Sequence, residues 1–318
     1  MNDSVPTALR LAAAIWAAAV GAVVGSFLNV VIARLPRGES VVRPRSHCPR
    51  CGTPIAWYDN LPIVSWILLR ARCRACREPI SVRYPLVEAL GAVAGWLAWH
   101  RHGLSAPAAA ELACVAVVLA LAFIDVGTWL LPHALTWPLI GLGLATSALG
   151  LGPAGLQDSL SGAGLGFAGF AAVAFLGERI FKKEALGFGD VWFLAGLGAW
   201  LGMKALLPLV LLASLQGSVV GIVLVLLGRS TTGPPEPPVP LPAPGPSPSP
   251  TQPPPPASTT TGTATPTATS TTSLAADEDW VPPRHAVPFG PFLALGALEW
   301  LYLSGALARL APVLRIFR

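Results

Sequence analysis

Charge is the property this sequence has least of. Asp, Glu, Lys and Arg make up 12% of its 318 residues, about half the ~25% of an ordinary soluble domain. With 53% hydrophobic residues and a mean hydropathy of +0.61, that scarcity excludes a soluble globular chain and implies a polytopic membrane protein. A cleavable leader is not expected either. The apolar run from Leu9 to Ile32 is too long for a signal-peptide core and has no convincing cleavage site, so it is expected to persist as a helix. There is no phosphate-binding loop, and no Ser-His-Asp set or nucleophilic cysteine is as well placed as the two acids described below. Nor does the net charge of +5 signal nucleic acid, because the cations lie in loops between apolar segments, where they determine topology.

What is present is a series of apolar segments near spanning length, about 20 residues each. They fall at about 9–32, 84–99, 108–124, 134–151, 160–178, 191–203, 205–227 and 287–308. The expected fold is an all-α polytopic membrane protein of about eight transmembrane helices with a small cytoplasmic zinc-ribbon-like loop. The chain divides into a first helix (1–33), a tetra-Cys loop (34–83), a transmembrane core (84–228), an insertion (229–286) and a last helix with the C-terminus (287–318). Gly21 and Gly25, four residues apart, suit close helix contact, and Asn29 suits either packing or substrate contact. The His100-Arg101-His102 stretch reads as a solvated loop, and Cys114 as a small core residue. The insertion, with four consecutive prolines from Pro253 to Pro256 and a Thr-rich tract, cannot bury enough surface to fold and is expected to be a disordered spacer.

Arginines from Arg34 to Arg83 crowd the loop after the first helix, which places it in the cytoplasm. Within it, Cys48-Pro-Arg-Cys51 and Cys73-Arg-Ala-Cys76 are separated by 21 residues. Two Cys-X-X-Cys knuckles at this spacing supply four sulfurs to a tetrahedral structural Zn²⁺ site. Four of the five cysteines used in this way suit a reducing compartment.

Two carboxylates remain without an obvious partner. Asp125 ends an apolar run, and Asp190 follows Gly187-Phe-Gly189 at the mouth of an apolar helix. An ionised Asp in or near hydrocarbon costs several kcal/mol unless solvated or partnered. The basic stretch from Arg179 to Lys183 puts Asp190 on the same side as Asp125. Two carboxylates within a few ångströms share a proton, so one can activate water while the other polarises a carbonyl. The glycines at 187 and 189 would give torsional freedom and let a substrate strand pass close. Taken alone, each Asp could equally be a helix cap or an interfacial charge.

Several stretches together resemble the type IV prepilin peptidases, the bifunctional membrane aspartic peptidases of pilus and type II secretion systems. They are Gly25 to Pro36, the four cysteines flanking Trp57 to Trp66, Arg83 to Glu88, Ile124-Asp125 with Leu131-Pro132, Gly187 to Asp190, and Pro288 to Ala294. The resemblance implies that Asp125 and Asp190 are a catalytic dyad in the bacterial inner membrane, facing the cytoplasm. It implies prepilin or pseudopilin substrates, cut after a short basic leader, and methylation of the new N-terminus by S-adenosylmethionine. Besides the insertion, the chain departs from the family pattern at His133, where an acid is usual, and at Trp192, where Lys is frequent. The rival readings are an intramembrane Gly-X-Gly-Asp peptidase of other substrates, and a transporter or assembly scaffold with cation-binding acids.

Overall fold

The computed structural model describes residues 6–181, 187–227 and 287–310. The expected spacer at 229–286 and Lys182-Lys183 of the basic loop lie outside the described residues. The chain forms α1 (Thr7–Arg34), a short α2 (Val64–Leu68), α3 (Arg83–His102), α4 (Ala106–Thr128), α5 (His133–Ala148), α6 (Leu156–Phe181), α7 (Phe188–Leu201), α8 (Met203–Leu226) and α9 (Gly290–Leu310). Among the described residues there is no strand, only isolated bridges in the tetra-Cys loop.

Eight long helices thus stand where eight spans were expected. Five segments are long and apolar enough to cross a membrane unaided: Thr7–Arg37, Ala106–Thr128, Leu156–Ile180, Met203–Leu226 and Gly290–Leu307. The shortest of the others, α7, has 14 residues and rises only about 21 Å, less than the ~30 Å hydrocarbon core. It is also the most enclosed, with every residue from Val191 to Leu201 buried except Trp192. Its neighbours, not lipid, surround it.

Small residues bring the helices together. A Cβ on Gly21 would collide with the Gly91 carbonyl, one on Gly91 with that of Gly21, and one on Gly95 with that of Ala17. α1 and α3 therefore touch backbone to backbone along several turns, the contact that Gly21 and Gly25 suggested. Asn29 completes it from within, its Nδ2 donating to the Tyr84 carbonyl at 3.1 Å. Gly162 and Gly198 make the same kind of contact between α6 and α7, and Gly143 lies against Ala199 and Trp200 where α5 crosses α7.

Turns fix the alternation of direction. α3 ends at Gly103, φ +69°, and α7 at Gly202, φ +85°, torsions that suit glycine. The short Gly103–Ser105 link makes α4 antiparallel to α3, so Asp125 near the end of α4 lies at the same end of the bundle as the tetra-Cys loop. At the opposite end, the His100-Arg101-His102 stretch is exposed as expected, but it is not a loop. It is the last turn of α3, and both Arg101 Nη1 (2.6 Å) and His102 Nε2 (2.9 Å) reach Glu111 Oε2. A buried acid on α4 draws them in, and nothing in their own neighbourhood of the sequence announces it.

Candidate active site

Asp125 sits in the last turn of α4, whose C-terminus is closed by Trp129 in the left-handed region (φ +58°) with its N–H donating to the Asp125 carbonyl. The side chain turns into the bundle and is 5% exposed. Asp190 lies in the first turn of α7 and is 8% exposed. Both acids lie on helices that pack against α9. Residues 65 apart in sequence are thus gathered at one end of the bundle, inside it and beneath the same rim.

A third element completes the pair. The backbone N–H of Gly290, the first residue of α9, donates to Asp125 Oδ2 at 3.0 Å. A Cβ at position 290 would lie 2.6 Å from that oxygen, so a side chain there would displace the carboxylate. The free N–H groups and the dipole at a helix N-terminus favour negative charge, so α9 presents an anion-favouring end to Asp125. Neighbouring Phe289 is fixed by stacking on Phe170 of α6, with centroids 6.4 Å apart. Sequence reasoning gave Gly290 no role beyond its place in the Pro288–Ala294 resemblance. Two prolines bracketing Phe-Gly just before an apolar helix were the available signal.

On the Asp190 side, the helix starts at Phe188, earlier than the expected 191, so Gly189 is helical. Gly187 is extended, at φ −63° and ψ 133°, a conformation open to any residue. Neither glycine uses the torsional freedom expected of it. Gly189 matters for space instead: a Cβ there would meet Leu131 Cβ at 2.8 Å. That contact presses the strand leaving α4 against the first turn of α7, coupling the backbones that carry the two acids. Asp190 Oδ1 is buried with no hydrogen-bond partner among the described residues.

The two positions that depart from the family pattern meet. The His133 and Trp192 rings lie edge to face with centroids 5.9 Å apart, and Phe167 lies 4.8 Å from Trp192. An aromatic contact occupies the two positions where the resemblance led an acid and a lysine to be expected. Trp192 is two residues beyond Asp190, on the other face of the helix.

In the tetra-Cys loop the sulfurs of Cys48, Cys51, Cys73 and Cys76 all lie within 4.8 Å of one another, and Cys48 and Cys76 are 3.8 Å apart. Tetrahedral thiolate ligation at about 2.3 Å per bond needs sulfur separations near ~3.8 Å. The four cysteines are therefore positioned to bind a metal ion. The two knuckles repeat with an offset of 25 residues. Cys48 N donates to Thr53 O and Gly52 N to Cys48 O; likewise Cys73 N donates to Glu78 O and Arg77 N to Cys73 O. The bridges His47–Pro54 and Arg72–Pro79 correspond in the same way. Hydrogen bonds from the Thr53 side chain and then its backbone bring the Cys51 thiol down to about 6. Backbone N–H groups of Cys76 and Ala75 lower that of Cys73. Both shifts favour the thiolate that a metal requires, whereas the Cys76 thiol is raised, a backbone hydrogen bond from Glu78 being outweighed by burial and the other three sulfurs. Asp59 receives Arg74 in a two-pronged ion pair, Nε to Oδ2 at 2.7 Å and Nη2 to Oδ1 at 2.5 Å, which ties the stretch between the knuckles to the second one.

Comparison with known proteins agrees with this layout. Residues 19–102, with the four cysteines, match the bacterial peptidase A24 N-terminal domain. Residues 112–222, with both acids, match the type IV leader peptidase family. A prepilin leader peptidase/N-methyltransferase of Myxococcus xanthus is 42% identical over 312 residues, covering 94% of this chain and 92% of the relative. The proteins of that name from Stutzerimonas stutzeri (39% identity, 71% of this chain and 86% of the relative) and Pseudomonas aeruginosa (38%, 69% and 83%) are also similar. No solved structure matches.

Proposed function

The chain belongs to the type IV leader peptidase family, and on that premise we propose that Asp125 and Asp190 are the pair that hydrolyses its substrate. The protein is a membrane aspartic peptidase that removes the leader of type IV prepilins or pseudopilins and methylates the N-terminus so exposed. The observation that carries the assignment is the burial of both carboxyl groups at one end of the bundle, where α4 and α7 pack against α9.

The roles divide as follows. The Gly290 N–H and the α9 terminus suit a carboxylate at Asp125, which acts as base. Asp190 is the acid. Asp125 takes a proton from water as the water oxygen attacks the scissile carbonyl carbon, and Asp190 gives its proton to the carbonyl oxygen. When the C–N bond breaks, Asp125 passes its proton to the leaving nitrogen. The diol returns one to Asp190, and the pair is restored. This end of the bundle, which carries the arginine-rich loop, faces the cytoplasm, where a basic leader would lie.

The metal of the tetra-Cys loop is Zn²⁺, a structural cross-link between the two knuckles. S-adenosylmethionine supplies the methyl group by the family resemblance, and no described residue is assigned to that step. Converting Asp125→Asn and Asp190→Asn separately and weighing a co-expressed prepilin tests the dyad. Each variant should leave the leader attached, and normal processing by either one refutes the assignment.

A further inference from the structure

The tetra-Cys loop is the arginine-rich, cytoplasmic part of the chain, yet one stretch of it, Leu61-Pro-Ile-Val-Ser-Trp-Ile-Leu-Leu69, has a single polar side chain. We propose that this stretch is an interfacial membrane segment: α2 dips into the headgroup region of the leaflet and lays Leu61, Val64, Ile67 and Leu68 on anionic phospholipid.

Depth is the first argument. The Ile63 N–H donates to Glu88 Oε2 at 2.7 Å, and Glu88 packs on α1 beside Ser26, its Cα against Gly25. Glu88 is five residues inside α3 and Ser26 eight residues inside α1, which at 1.5 Å per residue is about 7 and about 12 Å below the ends of those helices. The loop therefore folds back along its two flanking spans. An interfacial helix sits about 5–10 Å into the headgroup and acyl boundary, a depth that overlaps this one.

Exposure is the second. Leu68 is 75% exposed, Ile67 61%, Val64 51% and Leu61 46%. These large apolar side chains, three on α2 and Leu61 just before it, are left roughly half or more exposed. Backbone satisfaction is the third. In an apolar layer every amide needs an internal partner, and most of those here have one. Leu61 N–H donates to Ser65 Oγ, Ser65 N–H to Leu61 O, Ile67 N–H to Ile63 O and Leu69 N–H to Ser65 O. The one polar side chain turns inward, Ser65 Oγ donating to Tyr58 O, and Trp66 Nε1 donates to Ile80 O.

Charge selects the occupant. The apolar stretch runs directly into exposed Arg70 and Arg72. Anionic headgroups complement them, at about 1 kcal/mol per cation near such a surface. The basic leader that the family resemblance implies would be repelled.

The test uses the full chain in nanodiscs of phosphatidylcholine with and without phosphatidylglycerol, in the presence of a prepilin. A photo-crosslinking p-benzoylphenylalanine is placed at position 67, at 68, or at the exposed knuckle position 50 as reference, and the adducts are identified by mass spectrometry. Processing of the prepilin and retention of the four-thiol metal serve as the folding control, and position 61 replaces either site if that variant fails it. Lipid adducts at 67 and 68 should exceed those at 50 by roughly fivefold or more, as for an interfacial helix, and should rise with phosphatidylglycerol. Equal lipid yields at all three positions, or adducts at 67 and 68 chiefly to the prepilin, would overturn the proposal.

Discussion

The amide of Gly290 and the carboxylate of Asp125 are joined by a 3.0 Å hydrogen bond across 165 residues of chain. The bond places the N-terminus of the last helix against one of the two acids, and it leaves no room for a side chain at position 290.

That lack of room makes a direct prediction. Gly290→Ala brings a Cβ to 2.6 Å from Asp125 Oδ2, so the carboxylate has to move. Misplacing a catalytic group by about 1 Å costs on the order of 100-fold. Prepilin cleavage by purified Gly290→Ala should fall by that order, while Leu295→Ala, at an exposed site on the same helix, should cleave normally.

Gly189 and Leu131 form a second contact that can be probed as a pair. Gly189→Ala should slow cleavage because its Cβ meets Leu131 Cβ at 2.8 Å. Shortening Leu131→Ala in that background should restore much of the rate, because residues in direct contact couple. A double-mutant cycle on kcat/KM measures it. Equal losses in the single and double variants would show that Gly189 acts through something other than space.

The α1–α3 contact predicts a stability defect without a chemical one. Gly91→Val places a branched side chain where even a Cβ would strike the Gly21 carbonyl, and overpacking costs about 1–3 kcal/mol or more. The variant should melt or aggregate at lower temperature in detergent than Gly141→Val, at a glycine with open space.

The two knuckles predict a gain. Gly52 and Arg77 hold corresponding left-handed positions, at φ +69° and +61°, and only Gly52 suits them. Arg77→Gly should stabilise the metal-bound loop by up to about 1 kcal/mol, and Gly52→Ala should destabilise it. Resistance of the 34–83 loop to limited proteolysis in a chelator titration reads both.

The sequence disclosed most where chemistry is compressed into a few neighbouring residues. The two knuckles could be read because each sits within four residues, and the acids stood out because charge is costly in an apolar setting. The α1–α3 interface could be read in part from Gly21 and Gly25. What stayed hidden depends on distant partners. Gly290 meets Asp125 only after the chain has passed a long low-complexity tract, and the pairing of exposed Arg101 and His102 with buried Glu111 had no local signal. The glycines near Asp190 drew attention for torsions they do not use, because a one-dimensional reading cannot show that Leu131 crowds one of them. The apolar run from Leu61 to Leu69 was masked by the arginines around it.

The account rests on two acids working as a unit, and one measurement addresses that directly: single-turnover cleavage of a purified prepilin by Asp125→Asn, Asp190→Asn and the double variant. If the pair shares one water and one proton relay, each single change abolishes cleavage to background and the double change removes nothing more. Turnover within roughly tenfold of the unmodified enzyme in either single variant, or losses that multiply in the double variant, would contradict it.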